Sequence, residues 1–297
     1  MKSSKNILIA FILNLGFSIF EFIGGALTNS VAIISDAVHD IGDALSIGIS
    51  YVLEKISSKK PNNKYTYGYM RYSVLGSLIT TVILVVGSIF VIYNAICRII
   101  NPVEINYDGM IIFAIVGTIV NFLAAYFTKD GDSLNQKAVN LHMLEDVLGW
   151  LVVLFGEVVM KFTDIKIIDA ILSILVALFI LKHALCNLKV VIDLFLEKTP
   201  SNINIEELKG HLLEIKGVKD VHHIHVRSID GINNYATMHI VSDNKNKNIK
   251  EQIKKELKEH GINHVTLEFE ELYEKCNEEC CSMDISNKKC HHHHHHH

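Results

Sequence analysis

His39 and Asp43 stand four residues apart in the segment Ser-Asp-Ala-Val-His-Asp-Ile-Gly-Asp, and His142 and Asp146 repeat that spacing in Leu-His-Met-Leu-Glu-Asp. Both copies lie inside long apolar runs. On an α-helix, positions i and i+4 sit one above the other on a single face, so each pair presents one imidazole and one carboxylate in the same direction. Two such helices side by side supply two nitrogens and two oxygens around one point. That mixture of four donors suits a divalent ion of borderline softness, with zinc the leading candidate. Ionisable groups are expensive at membrane depth, so a matched set there is a functional-site hypothesis by default.

Asp36, His39, Asp40 and Asp43 occupy i, i+3, i+4 and i+7 and form one polar stripe, and Glu145 joins His142 and Asp146. Asp36, Asp40 and Glu145 are read as outer partners that orient imidazoles or relay protons. Asn14 and Glu21, seven residues apart, share a face of the first apolar run and suit either the same cavity or plain helix packing. A polar residue that glues two helices, or sits at a helix end, would account for any one of these residues. Two copies of one motif on separate runs argue for a shared ion.

The elements that must position these groups follow from hydropathy. Hydrophobic residues make up 49% of the 297-residue chain. The mean hydropathy of +0.28 averages two unlike parts. Six spans of the roughly 20 residues a bilayer requires are predicted at Ile7–Leu27, Val31–Leu53, Val74–Ile100, Met110–Phe127, Val139–Met160 and Ile168–Leu188. The joints on one side carry Lys55, Lys59, Lys60, Lys64, Arg71, Lys129 and Lys137, with Lys2 and Lys5 at the amino end. The other side offers Arg98, Lys161 and Lys166. By the positive-inside rule both termini are cytoplasmic in an integral, multi-pass membrane protein, and a bacterial cell membrane is expected. No small-residue cleavage pattern follows the first apolar run, so it reads as a retained helix.

From Lys198 the sequence turns soluble. It predicts a helix over Ile203–Ile215, strands over Gly217–Ser228 and Tyr235–Ser242 around an Asp230-Gly231 turn, a helix over Lys245–His260 and a strand over Val265–Phe269. The fold class is therefore a six-helix transmembrane domain followed by an α+β, ferredoxin-like cytoplasmic domain. Boundaries are placed at 1–195 for the transport domain, 196–275 for the cytoplasmic domain and 276–297 for a flexible tail. The run His291–His297 reads as a purification tag and is set aside. The net charge of −4 gives no reason to expect a nucleic acid partner. Cys97 and Cys186 fall in or beside apolar helices, whereas Cys276, Cys280, Cys281 and Cys290 cluster near the end. There Cys280 and Cys281 offer a weak thiolate metal signal in a reducing compartment.

Taken together, these motifs resemble the cation diffusion facilitator family of zinc transporters. The resemblance runs from Asn14, Glu21 and Gly24-Gly25 through the paired His-x-x-x-Asp motifs, Tyr67-Gly68-Tyr69-x-Arg71, Asp169 and the strand Val221-His222-His223-Ile224-His225-Val226. It implies a homodimer that exchanges cytosolic zinc for protons, with His39, Asp43, His142 and Asp146 as the transport site. A histidine at position 39, where manganese and iron branches carry an acid, favours zinc, with cobalt or cadmium as secondary cargo. It also implies a cytoplasmic zinc site, for which His222, His239 and His264 lie on the three predicted strands and Glu271 is a fourth ligand. His211, His260 and His183 read as ordinary surface histidines. Strand alternation places His223 and His225 on one face and His222 on the other.

Three departures from the family pattern stand out. The joint Lys129–Lys137 holds no histidine, the joint Glu54–Tyr65 lacks the His and Asp ligands of some relatives, and Arg227 stands where tryptophan is common. An enzyme is not expected, since a closed His2Asp2 set leaves no position for a reacting substrate. The competing readings are a passive metal channel, a metal-storage or metal-sensing membrane protein, and a transporter mainly of cadmium, cobalt, iron or manganese.

Overall fold

A computed structural model describes residues 2–28, 31–100, 107–163, 167–242 and 247–272. Side chains are placed throughout these except at 2, 25, 27, 28, 31–36, 38, 39, 98, 107–114, 153, 156–163, 167–170, 172, 173 and 247. Six long helices come first: α1 (Lys2–Thr28), α2 (Val31–Ser57), α3 (Arg71–Ile100), α4 (Tyr107–Thr128), α5 (Leu134–Thr163) and α6 (Ile167–Phe195). All six are at least as long as the segments anticipated from hydropathy. Lys2–Thr28, for example, holds the apolar run that begins at Ile7.

Among the described residues, the segments Ser3–Gly24, Arg71–Cys97 and Ile174–Phe195 are long and apolar enough to cross a membrane, and α4 adds the shorter stretch Ile115–Thr128. Helix α2 carries Asp36, Asp40 and Asp43 within an otherwise apolar stretch, the very stripe that suggests a site. Large apolar side chains face outward along the helices, including Phe20, Leu45, Val86, Phe90, Phe122 and Leu178. Such surface suits lipid.

Helix α1 packs against α2 and α4, α3 against α6 and α2, and α4 against α5, while α5 also meets α3 and α6. Small polar residues tie these contacts. Ser50 and Thr80 hydroxyls lie 2.6 Å apart between α2 and α3, Asn187 donates to Thr81 at 2.6 Å between α6 and α3, and Asn140 donates to the Ala125 carbonyl at 2.7 Å between α5 and α4. Glu54, only 5% exposed, accepts from Ser73 Oγ at 2.7 Å and Asn135 Nδ2 at 3.2 Å, so one carboxylate joins α2, α3 and α5. In an apolar surround, these satisfied bonds act as directional cross-links.

Contacts divide the chain into two compact units. The first is Met1–Lys198 with Ser228–Ile232, and the second holds Thr199–Arg227 and the described residues from Asn233 on. The second unit runs α7 (Ile205–Leu213), β1 (Val218–Ser228), β2 (Asn234–Ser242), α8 (Lys247–Glu259) and β3 (Ile262–Glu270), with strand order β1-β2-β3. Strands β2 and β3 are parallel, so α8 is the crossover between them. Asn204 caps α7, its Oδ1 accepting from the Glu206 and Glu207 amides. Leu208 and Leu212 of α7, and Ile253 and Leu257 of α8, cover Val221, Met238 and Ile240 of the sheet. The opposite face of the sheet carries no helix among the described residues.

Strand β1 departs from simple alternation. His223 adopts φ 49°, a left-handed conformation unusual for a residue with a Cβ. Val221 and Ile224 both contribute to the core despite their odd spacing. A local bulge of this kind re-aims side chains, so His222 and His223 are not on opposite faces as alternation predicts. Both rings instead lie beside His239, at centroid distances of 5.4 and 4.9 Å.

Candidate metal centre

The crossing of α2 and α5 brings Asp43, His142 and Asp146 together, with one ligand atom from each lying within 4.8 Å of the others. His142 Nε2 is 3.5 Å from Asp43 Oδ1. Asp43 is 7% exposed and His142 3%, so bulk water does not solvate either one well. Neither ring nitrogen of His142 makes a hydrogen bond, and both are buried, as is Asp146 Oδ2. A buried nitrogen with no hydrogen-bond partner is costly. A cation placed among these atoms would satisfy the nitrogen lone pair and both carboxylates at once.

His39 precedes Asp43 by one turn of α2, and Asp36 precedes His39 by three residues; the side chains of both lie outside the described residues. Asp40 is partly buried. Glu145 accepts from Ser88 Oγ at 3.3 Å, which directs it toward α3. Asn14 and Glu21 are each 1% exposed on α1, and Asn121 of α4 is equally buried. The bundle interior is therefore polar on several helices, unlike its apolar exterior.

A second cluster lies on the open face of the cytoplasmic sheet, where His222, His239 and Glu270 converge. Glu270 Oε1 accepts from His239 Nδ1 at 2.6 Å, and its Oε2 lies 3.1 Å from His222 Nε2. His222 Nδ1 is 3.2 Å from Asp220 Oδ2 and its Nε2 is 3.1 Å from Glu270 Oε2, so a neutral imidazole, with a single N–H, can donate to only one of the two carboxylates. Nε2 is buried and makes no hydrogen bond, and a cation between it and Glu270 would serve both. Partial burial pushes the Asp220 carboxyl up, but the Val221 backbone N–H, the Lys209 ammonium and His222 outweigh burial and hold it below the usual carboxylate range. Asp220 thus remains an anion that orients the imidazole.

This cluster differs from the expected set in two members. The β2–β3 register pairs His239 with Glu268 and Tyr235 with His264. His264 is therefore displaced about 13 Å along the strand from His239 at 3.3 Å per residue. Its exposed ring lies 5.1 Å from the Tyr235 ring instead. Glu271 falls just beyond the end of β3 and is exposed, whereas Glu270 shares the face of His239 and is 6% exposed. Glu270 and Asp220 went unnoticed in the sequence, and strand alternation had put His223 on the face opposite His222. Pairing β2 with β3 in parallel would have found Glu270, and its i−2 position relative to His222 would have found Asp220. Cys280 and Cys281 lie outside the described residues.

Residues 7–196 match the family described as cation efflux transmembrane domain, and residues 200–272 match the cation efflux protein, cytoplasmic domain. A cadmium, cobalt and zinc/H(+)-K(+) antiporter of Bacillus subtilis is 32% identical over 97% of this chain and 96% of its own length. Zinc transporter ZitB of Pectobacterium atrosepticum is also 32% identical, over 96% of this chain and 90% of its own. Metal cation efflux system protein CzcD of Cupriavidus metallidurans is 29% identical over 90% and 87%. With two matching domains covering nearly its whole described length, the chain is an integral membrane protein that belongs to the cation efflux, or cation diffusion facilitator, family.

Proposed function

We propose that the chain is a divalent-cation efflux transporter, with Zn2+ the principal cargo, and that it exchanges cytosolic metal for protons by alternating access. The observation that carries this reading is the buried meeting of Asp43, His142 and Asp146 between two helices of a membrane domain, with both His142 nitrogens lacking hydrogen bonds. His39, one turn from Asp43, completes the set as second nitrogen donor. Metal binding requires deprotonated imidazole and carboxylate, so loading the site expels protons and protonation expels the metal. Histidine's ordinary pKa near 6.5 sets that competition in the physiological range. Asp36, Asp40 and Glu145 relay those protons or line the path of entry.

On this reading α1–α6 are six spans with both termini in the cytoplasm, and 1–195, 196–275 and 276–297 are transport domain, ferredoxin-like cytoplasmic domain and tail. The αββαβ order of the second unit supports the ferredoxin-like assignment. Two chains form a homodimer through the cytoplasmic domain, where His222, His239 and Glu270 hold a zinc ion. Cadmium and cobalt are further cargo, a breadth favoured by the names of the relatives.

Zinc-driven proton movement in proteoliposomes tests the reading. The wild type is expected to acidify or alkalinise the lumen with the sign of the zinc gradient. Asp43→Ala/His142→Ala chains are expected to stay folded and show no such movement. Full transport by that double variant overturns the site. Zinc flux insensitive to the proton gradient would favour a passive channel instead.

A further inference from the structure

We propose that His211, Glu256 and His260 form a separate cytosolic divalent-cation site on the helical side of the cytoplasmic unit. His211 lies in the last turn of α7 and Glu256 in the last turn of α8, and His260 extends α8 by one residue, its amide donating to the Glu256 carbonyl at 3.1 Å. Two helix C-termini therefore converge on one spot. The negative ends of the two helix dipoles make it a place that favours positive charge.

The ligand atoms form a nearly equilateral triangle. His211 Nδ1 is 2.8 Å from His260 Nε2 and 3.2 Å from Glu256 Oε1, and His260 Nε2 is 3.4 Å from that same oxygen. Its circumradius is about 1.8 Å, less than the roughly 2.0–2.1 Å of a zinc–nitrogen or zinc–carboxylate bond. A point about 0.9 Å above the plane therefore lies at bonding distance from all three atoms. Protons cannot serve this triangle equally well. A single N–H cannot point along two edges, and a carboxylate only accepts, so at least one contact stays bent or repulsive. One ion above the plane takes all three lone pairs.

Two imidazoles and one carboxylate select borderline cations such as Zn2+ over Ca2+ or Mg2+. The His211 side chain is 44% exposed, so water completes the fourth position and the ion exchanges with the cytosol. The site is distinct from the His222, His239 and Glu270 cluster. Leu208 and Leu212 of α7 and Ile253 and Leu257 of α8 cover one face of the sheet, whereas β2 presents His239 on the face away from Met238 and Ile240. An ion here joins the ends of α7 and α8, making their packing responsive to cytosolic metal.

Full-length protein in detergent, stripped by chelator and dialysed against Zn2+, provides the test. His211→Ala/His260→Ala is expected to bind one ion fewer per chain than its parent, both in the wild type and in a His222→Ala/His239→Ala background. The terminal histidines contribute equally to every variant. Glu256→Gln, which keeps side-chain size, is expected to weaken that ion more than about tenfold, a loss that even removal of an outer partner produces. Zinc-edge anomalous scattering should place a peak above the triangle. Unchanged ion counts with no such peak would leave only a hydrogen-bonded His-Glu-His cluster and overturn the proposal. If His222→Ala/His239→Ala lost no ion while His211→Ala/His260→Ala lost one, the earlier assignment would fall and this one would stand.

Discussion

At the scale of the residue, what distinguishes this molecule is nitrogen placed where it has no ordinary partner. His142 is buried beside Asp43 with neither ring nitrogen hydrogen-bonded, and His222 Nε2, also without a hydrogen bond, lies 3.1 Å from Glu270 Oε2. Each arrangement is unfavourable until a cation enters, which ties structure directly to metal affinity. Two outcomes follow. His39→Asp, which replaces a nitrogen donor with a harder oxygen, is expected to shift transport toward Mn2+ or Fe2+ at the expense of Zn2+. A vesicle assay with a panel of cations checks this, and an unchanged preference would mean that His39 does not touch the ion. Asp220→Asn removes the anion that holds the His222 tautomer, so the cytoplasmic zinc affinity is expected to fall about 10- to 100-fold. Equilibrium dialysis reads that loss, and an unaltered affinity would separate Asp220 from the site. The meeting of Asp43, His142 and Asp146 was legible in sequence because helical periodicity is local. The cytoplasmic ligands were legible only in part, since which acid faces His239 depends on the β2–β3 register, a non-local property.

At the scale of the element, the helices of the first unit approach closely where glycine allows it. A Cβ on Gly117 of α4 would lie 2.7 Å from the Trp150 ring of α5 and 2.8 Å from the Phe17 ring of α1. These rings are themselves packed edge to face at 5.5 Å and cannot swing aside independently. Gly117→Ala is accordingly expected to cost about 1–3 kcal/mol by overpacking, seen as a lower thermal midpoint in detergent with metal selectivity retained. A midpoint equal to the wild type would show that α4 shifts freely against α1 and α5. The extents of the helices were foreseen closely because apolar runs set them. The bulge at His223 was not, since no residue type in Val-His-His-Ile-His signals a left-handed backbone, and the resulting cluster of three imidazole rings followed from it.

At the scale of the whole molecule, an apolar-faced helical unit is followed by an α+β unit, and each holds a cluster of histidine and carboxylate side chains. Ligands that bind only the folded state stabilise it by mass action, about 2.7 kcal/mol at a hundredfold excess over the dissociation constant. Zn2+ should therefore raise the unfolding temperature of the chelator-stripped protein, and His222→Ala/His239→Ala should remove much of that rise. A rise of the same size in that variant would assign the stabilisation elsewhere. The division into two units was evident from the change of composition near Lys198, whereas the return of Ser228–Ile232 to the first unit was not, because only tertiary contact defines it.

The central claim concerns where the transported ion sits. Zinc-edge anomalous diffraction from crystals grown with Zn2+ locates it most directly. The expected result is a peak between α2 and α5 within about 2.0–2.2 Å of a His142 nitrogen and of oxygens from Asp43 and Asp146, with His39 as the fourth donor. A zinc-replete crystal with peaks only on the cytoplasmic unit, and none between those two helices, would contradict it.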